Sequence, residues 1–198
     1  MTDLLLGAHP DDIESGMGGY LSRYNNADYF AVIATDTLNY KGNDTILDEL
    51  KTSMNDYKIQ YKMLGLTNMS LHLQKPELCD HLYKIKQNFQ NITKVFCTNP
   101  FSSNPDHAIL AEACKAVFQE QSILFYEVIR GDYRFIPNMY VKLSEKNLSD
   151  KIKHIEMYHS QDHRYYFNLD VLNSMAKFRG SQINTEYAES FMVERMIE

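Results

Sequence analysis

Short apolar runs alternate with amphipathic helical stretches along most of the chain, and this alternation constrains the fold more than any other feature. Strands that follow one another across a helix have to be joined by right-handed crossovers, which makes the sheet mainly parallel. The sequence therefore predicts one α/β domain spanning 1–198, with a Rossmann-like, mostly parallel sheet flanked by helices. Strands are predicted at 3–8, 29–35, 69–73, 94–98, 123–128, 139–143 and 190–196, and helices at 15–24, 46–64, 77–89, 108–118, 148–158 and 171–179.

Composition restricts the class of partner. A net charge of -6 without a basic run argues against binding to a nucleic-acid backbone, which needs a basic face. No apolar run approaches the roughly 20 residues that a membrane-spanning helix needs. The N-terminus lacks the pattern of a secretory signal, and the 3 cysteines form no Cys-x-x-Cys pair. We therefore expect a cytoplasmic protein that acts on a small molecule, either as a single chain or as a homo-oligomer.

Residues 8–19 read Ala-His-Pro-Asp-Asp-Ile-Glu-Ser-Gly-Met-Gly-Gly and join the first predicted strand to the first predicted helix. His9 and Asp12 are three positions apart, so a helical first turn would place both side chains on one side. A neutral imidazole and a carboxylate held in this way suit a divalent metal such as zinc. Asp11 points elsewhere on the turn and stays free for proton transfer. The alternative is a capping carboxylate at the helix start beside a surface imidazole.

A second segment, Asn104-Pro105-Asp106-His107, follows the strand predicted at 94–98 and opens the helix predicted at 108–118. His107 would supply a third ligand from the end of a neighbouring strand. Two histidines and one carboxylate leave one coordination position of zinc open for water, as catalytic sites do. Another divalent metal is possible, because ligand type alone does not select the ion. The alternative for His107 is a polar contact in the first turn of its helix.

The glycines at positions 16, 18 and 19 do not form a dinucleotide-binding turn. That fingerprint needs its glycines directly in the strand-to-helix turn, and here His-Pro-Asp-Asp occupies the turn. We expect the glycines to let the first helix pack closely against the sheet.

Two features are candidates for the rim of a binding pocket. The polar loop at 36–45 is predicted either as a rim or as an ordinary surface connection. Aromatic residues near the C-terminal half offer surfaces on which a ring of a ligand could stack, although most of them are expected to be ordinary core and rim residues. Among these we assign substrate contact to Tyr133; the others are Phe135, Tyr165 and Tyr166.

Taken together, these motifs resemble those of the LmbE-like, or PIG-L, family of zinc-dependent N-acetylglucosaminyl deacetylases, nearly from end to end. His-Pro-Asp-Asp with the trailing Glu-x-Gly-x-Gly-Gly resembles the family's first motif, and Pro-Asp-His resembles most of its second. The later signatures are similar to Tyr126-Glu127-Val128, Arg179-Gly180-Ser181-Gln182 and Tyr187-Ala188-Glu189-x-Phe191. The resemblance implies an amide hydrolase that removes the acetyl group from an N-acetylated amino sugar or its conjugate, with Zn²⁺ as the cofactor.

The resemblance also assigns roles to single residues. Asp11 matches the family's general acid and base, and Asp106 is expected to orient an imidazole or a substrate group. The residue that matches Asn104 is usually a histidine that stabilises the oxyanion; an asparagine can donate a hydrogen bond there but cannot carry a positive charge. Asn104 could equally serve only as a helix cap. Arg179 matches the family's Arg-Gly element and is predicted to be either a structural residue or one that forms the substrate pocket, rather than a catalytic residue.

Two other functions remain open from the sequence. The first keeps the chemistry and changes the acyl group, as in a deacylase of an N-formyl substrate. The second is a metal-containing binding protein that has lost catalysis through the change at Asn104. The presence of Asp11 disfavours the second possibility.

Overall fold

The computed structural model describes residues 1–38, 44–89 and 91–197. Of the predicted rim loop at 36–45, positions 39–43 lie outside the described residues. No helix in the described ranges is long and apolar enough to cross a membrane. In chain order the elements are β1 (Thr2–Gly7), α1 (Asp12–Arg23), β2 (Asp28–Thr35), α2 (Ile46–Tyr57), β3 (Gln60–Leu66), α3 (Lys75–Asn88), β4 (Ile92–Cys97), α4 (Pro105–Val117), β5 (Ser122–Tyr126), β6 (Met139–Leu143), α5 (Glu145–Ile155), α6 (Leu169–Ser181) and β7 (Tyr187–Arg195).

The seven strands form one sheet in the order β3-β2-β1-β4-β5-β7-β6. The first five run parallel, and β7 is antiparallel to both β5 and β6. The predicted α/β fold with a mostly parallel sheet is therefore confirmed. Because the chain progresses outwards in opposite directions from β1 and from β4, a crevice opens beyond the carboxyl ends of these two strands, where ligands bind in such sheets.

Both faces of the sheet are covered, which explains why its central strands are apolar along their whole length. In β1 the side chains of Leu4 and Leu6 enter one core, and that of Leu5 enters the other. Helices α3 and α4 pack on the first face, while α1 and α2 pack on the second. This double burial fixes β1 at the centre of the sheet.

The prediction of a strand at 69–73 is wrong, and the helix predicted at 46–64 is shorter than predicted. Helix α2 ends at Tyr57, Lys58 takes a left-handed conformation (φ 60°), and the third strand is Gln60–Leu66. This strand lies at the sheet edge and is only half-buried, so its apolar residues lack a clear alternation and continue the helical pattern. The segment at 69–73 forms turns because the carboxylate of Asp106 accepts its backbone N–H groups.

Helix α1 begins at Asp12 rather than at 15 and packs closely on the sheet, as its glycines predict. A Cβ atom at Gly16 would lie 2.1 Å from the ring of Tyr126, so only glycine admits this approach. The helix is kinked at Met17 (φ −145°, ψ 21°). The kink frees backbone N–H groups in mid-helix, and the carboxylate of Glu189 accepts two of them, from Gly19 at 3.0 Å and Tyr20 at 2.6 Å. Glu189 thus acts as an N-terminal cap for the second part of α1.

Candidate active site

Two loops at the carboxyl edge of the sheet bring the predicted ligands together. One follows β1 and carries His9 in a turn that leads into α1; the other follows β4 and places His107 in the first turn of α4. Because β1 and β4 are parallel neighbours, both loops leave the sheet at the same end. As a result, Nδ1 of His9 lies 3.1 Å from Nε2 of His107, although 98 positions separate the two residues.

Asp12 completes a triangle of donor atoms. Its Oδ2 lies 3.3 Å from Nδ1 of His9, and its Oδ1 lies 3.2 Å from Nε2 of His107. A tetrahedral zinc ion with bonds of about 2.0–2.1 Å to nitrogen and oxygen holds its ligand atoms about 3.3 Å from one another. Each histidine nitrogen thus has one oxygen of Asp12 near this spacing, and one ligand atom from each of the three residues lies within 4.8 Å of the other two. This arrangement fits a divalent metal bound by His9, Asp12 and His107.

The electrostatics of the buried cluster also favour a cation. Burial by itself would lower the pKa of His9, but Asp12 and Asp106 outweigh it and raise the pKa to about 10. Burial would raise the pKa of Asp12, yet the neighbouring His107 and His9 hold it well below its usual range. Carboxylates thus dominate the charge around the two imidazoles, and a metal ion would neutralise them.

Asp106 lies behind His9 rather than in the cavity. Its carboxylate accepts hydrogen bonds from the backbone N–H groups of Met69 (2.5 Å) and Leu71 (3.3 Å) and lies 3.5 Å from Nε2 of His9. The same imidazole nitrogen lies 3.2 Å from Oδ1 of Asn68. The structure therefore gives Asp106 the geometry of a residue that orients an imidazole, consistent with the expected orienting role.

Asp11 faces the cavity rather than the helix that follows it. It occupies the N-cap position of α1, yet its side chain makes no capping hydrogen bond. The residue is 8% exposed, and burial followed by the charge of Asp12 raises the pKa of its carboxyl, against the opposing charges of His9 and Arg164. A buried carboxylate with a raised pKa beside a metal site has the properties of a general base.

Asn104 caps helix α4 and also lines the cavity. Its Oδ1 accepts a hydrogen bond from the backbone N–H of Asp106 at 3.0 Å and so caps α4. This bond fixes the orientation of the amide, because the oxygen has to face the helix start. The NH₂ group then remains as a donor on a residue that also lines the cavity.

The donor triangle lies in a cavity of about 410 Å³, a size typical of small-molecule sites. Tyr133 lines this cavity and is 83% exposed, so it lies at the mouth. The polar side chains that line the cavity besides the metal ligands are Asp11, Ser15, Thr37, Asn68, Ser103, Asn104, Arg130, Tyr133, Gln161, Arg164 and Tyr166.

Arg179 does not line this cavity. Its Nε donates to Oε2 of Glu127 at 2.8 Å, its guanidinium group forms an ion pair with Oε1 of the same residue, and only 7% of Arg179 is exposed. The structure thus gives Arg179 a packing position between α6 and the residue that follows β5, which fits the structural alternative of the prediction; its contact with substrate stays a prediction. Conversely, sequence reasoning missed Arg130 and Arg164. Arg130 follows the carboxyl end of β5, a position that could have identified it as a candidate site residue. Arg164 lies in an irregular stretch whose sequence pattern does not indicate a site.

Comparison with known proteins gives consistent results. Residues 4–118, more than half of the chain, match the family described as PIG-L, GlcNAc-PI de-N-acetylase. The uncharacterized deacetylase YaiS of Escherichia coli K12 is 27% identical over 169 residues, which cover 79% of this chain and 90% of that protein.

Among solved structures, the conserved protein TT1542 from Thermus thermophilus has a TM-score of 0.82 at 22% identity, covering 100% of this chain and 97% of that one. The N,N'-diacetylchitobiose deacetylase from Pyrococcus horikoshii has a TM-score of 0.80 at 20% identity, covering 97% and 83%. At these identities, the two structures show the shared fold alone.

Proposed function

The chain belongs to the PIG-L family, and from this premise we propose that it is a zinc-dependent amide hydrolase that removes the acetyl group from an N-acetylated amino sugar or its conjugate. The observation that carries the proposal is the triangle of donor atoms from His9, Asp12 and His107, with Asp11 beside it in the same cavity. The names of the relatives, a deacetylase and a diacetylchitobiose deacetylase, support the acetyl group and the sugar.

The residues around the triangle divide the chemistry among them. A divalent metal, when bound, supplies a Lewis acid that polarises a carbonyl and lowers the pKa of water. Asp11 takes a proton from the water that attacks the amide carbon. As the new carbon–oxygen bond forms, the carbonyl oxygen gains negative charge, and the NH₂ of Asn104 donates a hydrogen bond to it.

Asp11 also serves the second half of the reaction. When the carbon–nitrogen bond breaks, the protonated Asp11 returns its proton to the leaving nitrogen, so acetate and a free amine are released. The raised pKa of Asp11 suits a group that has to both accept and donate a proton. Asp106 keeps His9 in place throughout, through its contact with the imidazole and with the loop that carries Met69.

The decisive experiment measures acetate release by the zinc-loaded protein from a panel of neutral, phosphorylated and nucleotide-linked N-acetylhexosamines. We expect release from at least one of them, and its loss in Asp11→Asn. Formate release from the matching N-formyl compounds, without any acetate release, would instead favour a different acyl group. Zinc binding without release of any acyl group would contradict the proposal and favour a binding protein.

A further inference from the structure

The two candidate histidine ligands differ in what lies behind their rings. Nε2 of His9, which faces away from the donor triangle, lies 3.2 Å from Oδ1 of Asn68 and 3.5 Å from a carboxylate oxygen of Asp106. His107 faces the triangle with Nε2, so its Nδ1 is the nitrogen that faces away. This Nδ1 is buried and forms no hydrogen bond with any residue of 1–38, 44–89 or 91–197.

The chemistry of a metal ligand makes Nδ1 of His107 a hydrogen-bond donor. An imidazole that binds a metal through one nitrogen is neutral and carries its proton on the other nitrogen. Buried N–H groups without an acceptor are rare in native proteins. In metal sites the second N–H group almost always donates to a carboxylate, a backbone carbonyl or a water molecule, and this bond fixes the tautomer and the orientation of the ring.

The carboxylate of Asp132 lies close enough to His107 for their charges to interact. Burial raises the pKa of Asp132 to about 6, and the backbone N–H of Val128, the side chain of Ser102, the charge of His107 and the side chain of Asn99 all oppose this rise. Oδ2 of Asp132 accepts the N–H of Val128 at 2.8 Å. Oδ1 is buried, and no residue in the described ranges gives it a hydrogen bond of ordinary length. One oxygen thus closes the loop, and the other remains as an acceptor.

Asn99 adds a second donor at this place. Its neighbour Thr98 donates a hydrogen bond to the backbone carbonyl of His107 at 3.0 Å, so Asn99 lies beside the first turn of α4. Oδ1 of Asn99 accepts the N–H of Phe101 at 3.0 Å, whereas its Nδ2 is buried and has no hydrogen-bond partner among the described residues. Because Asn99 and His107 both act on the Asp132 carboxylate, two donors and one acceptor are gathered behind His107.

The loops that carry these groups are held against each other. The carbonyl oxygen of Gly131 accepts a hydrogen bond from the N–H of Ser103 at 2.8 Å. Gly131 has a φ of 102°, and a Cβ atom there would lie 3.1 Å and 3.2 Å from the hydroxyl oxygens of Ser103 and Ser102. The loop after β5 therefore lies directly on the loop after β4. Asp132 does not line the cavity, so it is placed to act on His107 and not on a substrate.

We propose that Asp132 positions His107 for metal binding, and that its Oδ1 is connected to Nδ1 of His107 through one bridging water molecule, to which Nδ2 of Asn99 also donates. The water accepts hydrogen bonds from the two N–H groups and donates one to the carboxylate, so all three buried groups are satisfied. Each histidine ligand then has its own carboxylate, Asp106 for His9 and Asp132 for His107. This inference rests on the metal site of the proposed function and is independent of the acyl group that is removed.

The first measurement is the zinc affinity of Asp132→Asn, determined by competition with a chelator of known affinity. Asparagine keeps an oxygen for the N–H of Val128 but offers an NH₂ group in place of the second acceptor. We expect the Kd for zinc to rise by about 10- to 100-fold, as is typical for the loss of a group that orients a metal ligand. Glu127→Gln is the matched control, because Glu127 also follows β5, pairs with Arg179 and does not line the cavity. It should leave the zinc affinity at the wild-type value.

The second measurement detects the N–H group itself, which a purely structural role of Asp132 would not alter. In the zinc-loaded protein labelled with ¹⁵N-histidine, NMR should show His107 with its proton on Nδ1 and a cross-peak between this proton and water. The proton resonance should move upfield in Asp132→Asn and stay in place in Glu127→Gln, because only the first variant removes the carboxylate that polarises the bridge.

The outcomes separate this inference from the proposed function. Wild-type zinc affinity in Asp132→Asn, or weaker binding with an unchanged Nδ1 proton, would overturn the positioning role and leave the metal site intact. An Nδ1 proton without a cross-peak to water would overturn the bridge. Zinc that binds equally well to the wild type and to His107→Ala would contradict the metal site of the proposed function, and this inference would fail with it.

Discussion

Asp11 and Asp12 are neighbours in the chain, yet only Asp12 reaches both histidines. The two oxygens of Asp12 lie 3.2 Å and 3.3 Å from nitrogens of His107 and His9, whereas Asp11 forms no ion pair with either histidine in the described part of the chain. Both carboxylates line the cavity, but only that of Asp12 contacts the two histidines. Substitutions at these two positions should therefore separate metal binding from catalysis.

The first prediction concerns Asp11. In Asp11→Asn we expect zinc to remain bound with wild-type stoichiometry, because the residue is not a ligand. Turnover should fall by about 10²–10⁴-fold, since the amide cannot accept the proton of the attacking water. Metal content measured beside kcat tests this. Loss of zinc from the variant would show that Asp11 is itself a ligand.

The second prediction concerns the ligands. Asp12→Asn should weaken zinc binding because it removes a charged ligand, and His107→Ala should abolish stoichiometric binding. Titration with a chelator of known affinity measures both effects. Full activity in Asp12→Asn, together with zinc loss in Asp11→Asn, would reverse the roles that we assign to the two aspartates.

The third prediction separates the cap from the oxyanion donor at Asn104. Serine keeps an oxygen for the N–H of Asp106 but has no NH₂ group, so Asn104→Ser should retain most of the thermal stability. Its turnover should fall by about 10²–10³-fold if the amide stabilises the oxyanion. Asn104→Ala should lose both thermal stability and turnover, because it removes the capping oxygen and the NH₂ group together. A serine variant with wild-type turnover would leave Asn104 with the capping role alone.

The fourth prediction concerns the close packing of α1 on the sheet. Gly16→Ala should lower the free energy of unfolding by about 1–3 kcal/mol, because the new Cβ would overlap the ring of Tyr126. Denaturant unfolding of Gly16→Ala, Tyr126→Leu and the double variant forms a cycle that isolates the contact. We expect the double variant to be more stable than the sum of the two single effects predicts. Strict additivity would mean that the helix moves away instead.

The fifth prediction concerns acid stability. Burial lowers the pKa of His154, whose ring is stacked on Tyr57 with 3.5 Å between ring centres. The charge of Lys153 lowers this pKa further, whereas the contacts with the backbone of Asp150 and with Asp56 raise it without reversing the shift. The unfolded chain then binds a proton more readily than the folded protein. The stability from neutral His154 is present above the ordinary pKa of about 6.5 and is lost as the pH falls through the folded pKa.

The measurement is the pH dependence of Tm between pH 8 and pH 5 for the wild type and for His154→Gln. Acidification should lower the Tm of the wild type more than that of the variant, because the other titrating groups are common to both proteins. The reverse order would mean that the ion pair with Asp56 at 3.0 Å dominates and that the folded protein favours the charged imidazole.

The sequence by itself determined most of what is local. The apolar run Leu4-Leu5-Leu6 is buried on both faces of the sheet, so its composition alone identifies a central parallel strand. Both metal-ligand motifs follow such strands, and the topology of parallel sheets places strand ends at one edge. The third strand was missed because it lacks this double burial. As a half-buried edge strand, it carries too little apolar alternation to be distinguished from the end of α2.

Only the tertiary structure decided the contacts between distant parts of the chain. Glu189 caps a kinked helix 170 positions away at Gly19, and Asp106 supports His9 across the sheet edge. Arg130 and Arg164 meet at Tyr166 although no periodicity connects them. Periodic patterns record which face of an element is buried, because burial acts on every residue of that face. They do not record which polar side chains meet in a crevice, since each such contact depends on the path of two separate loops.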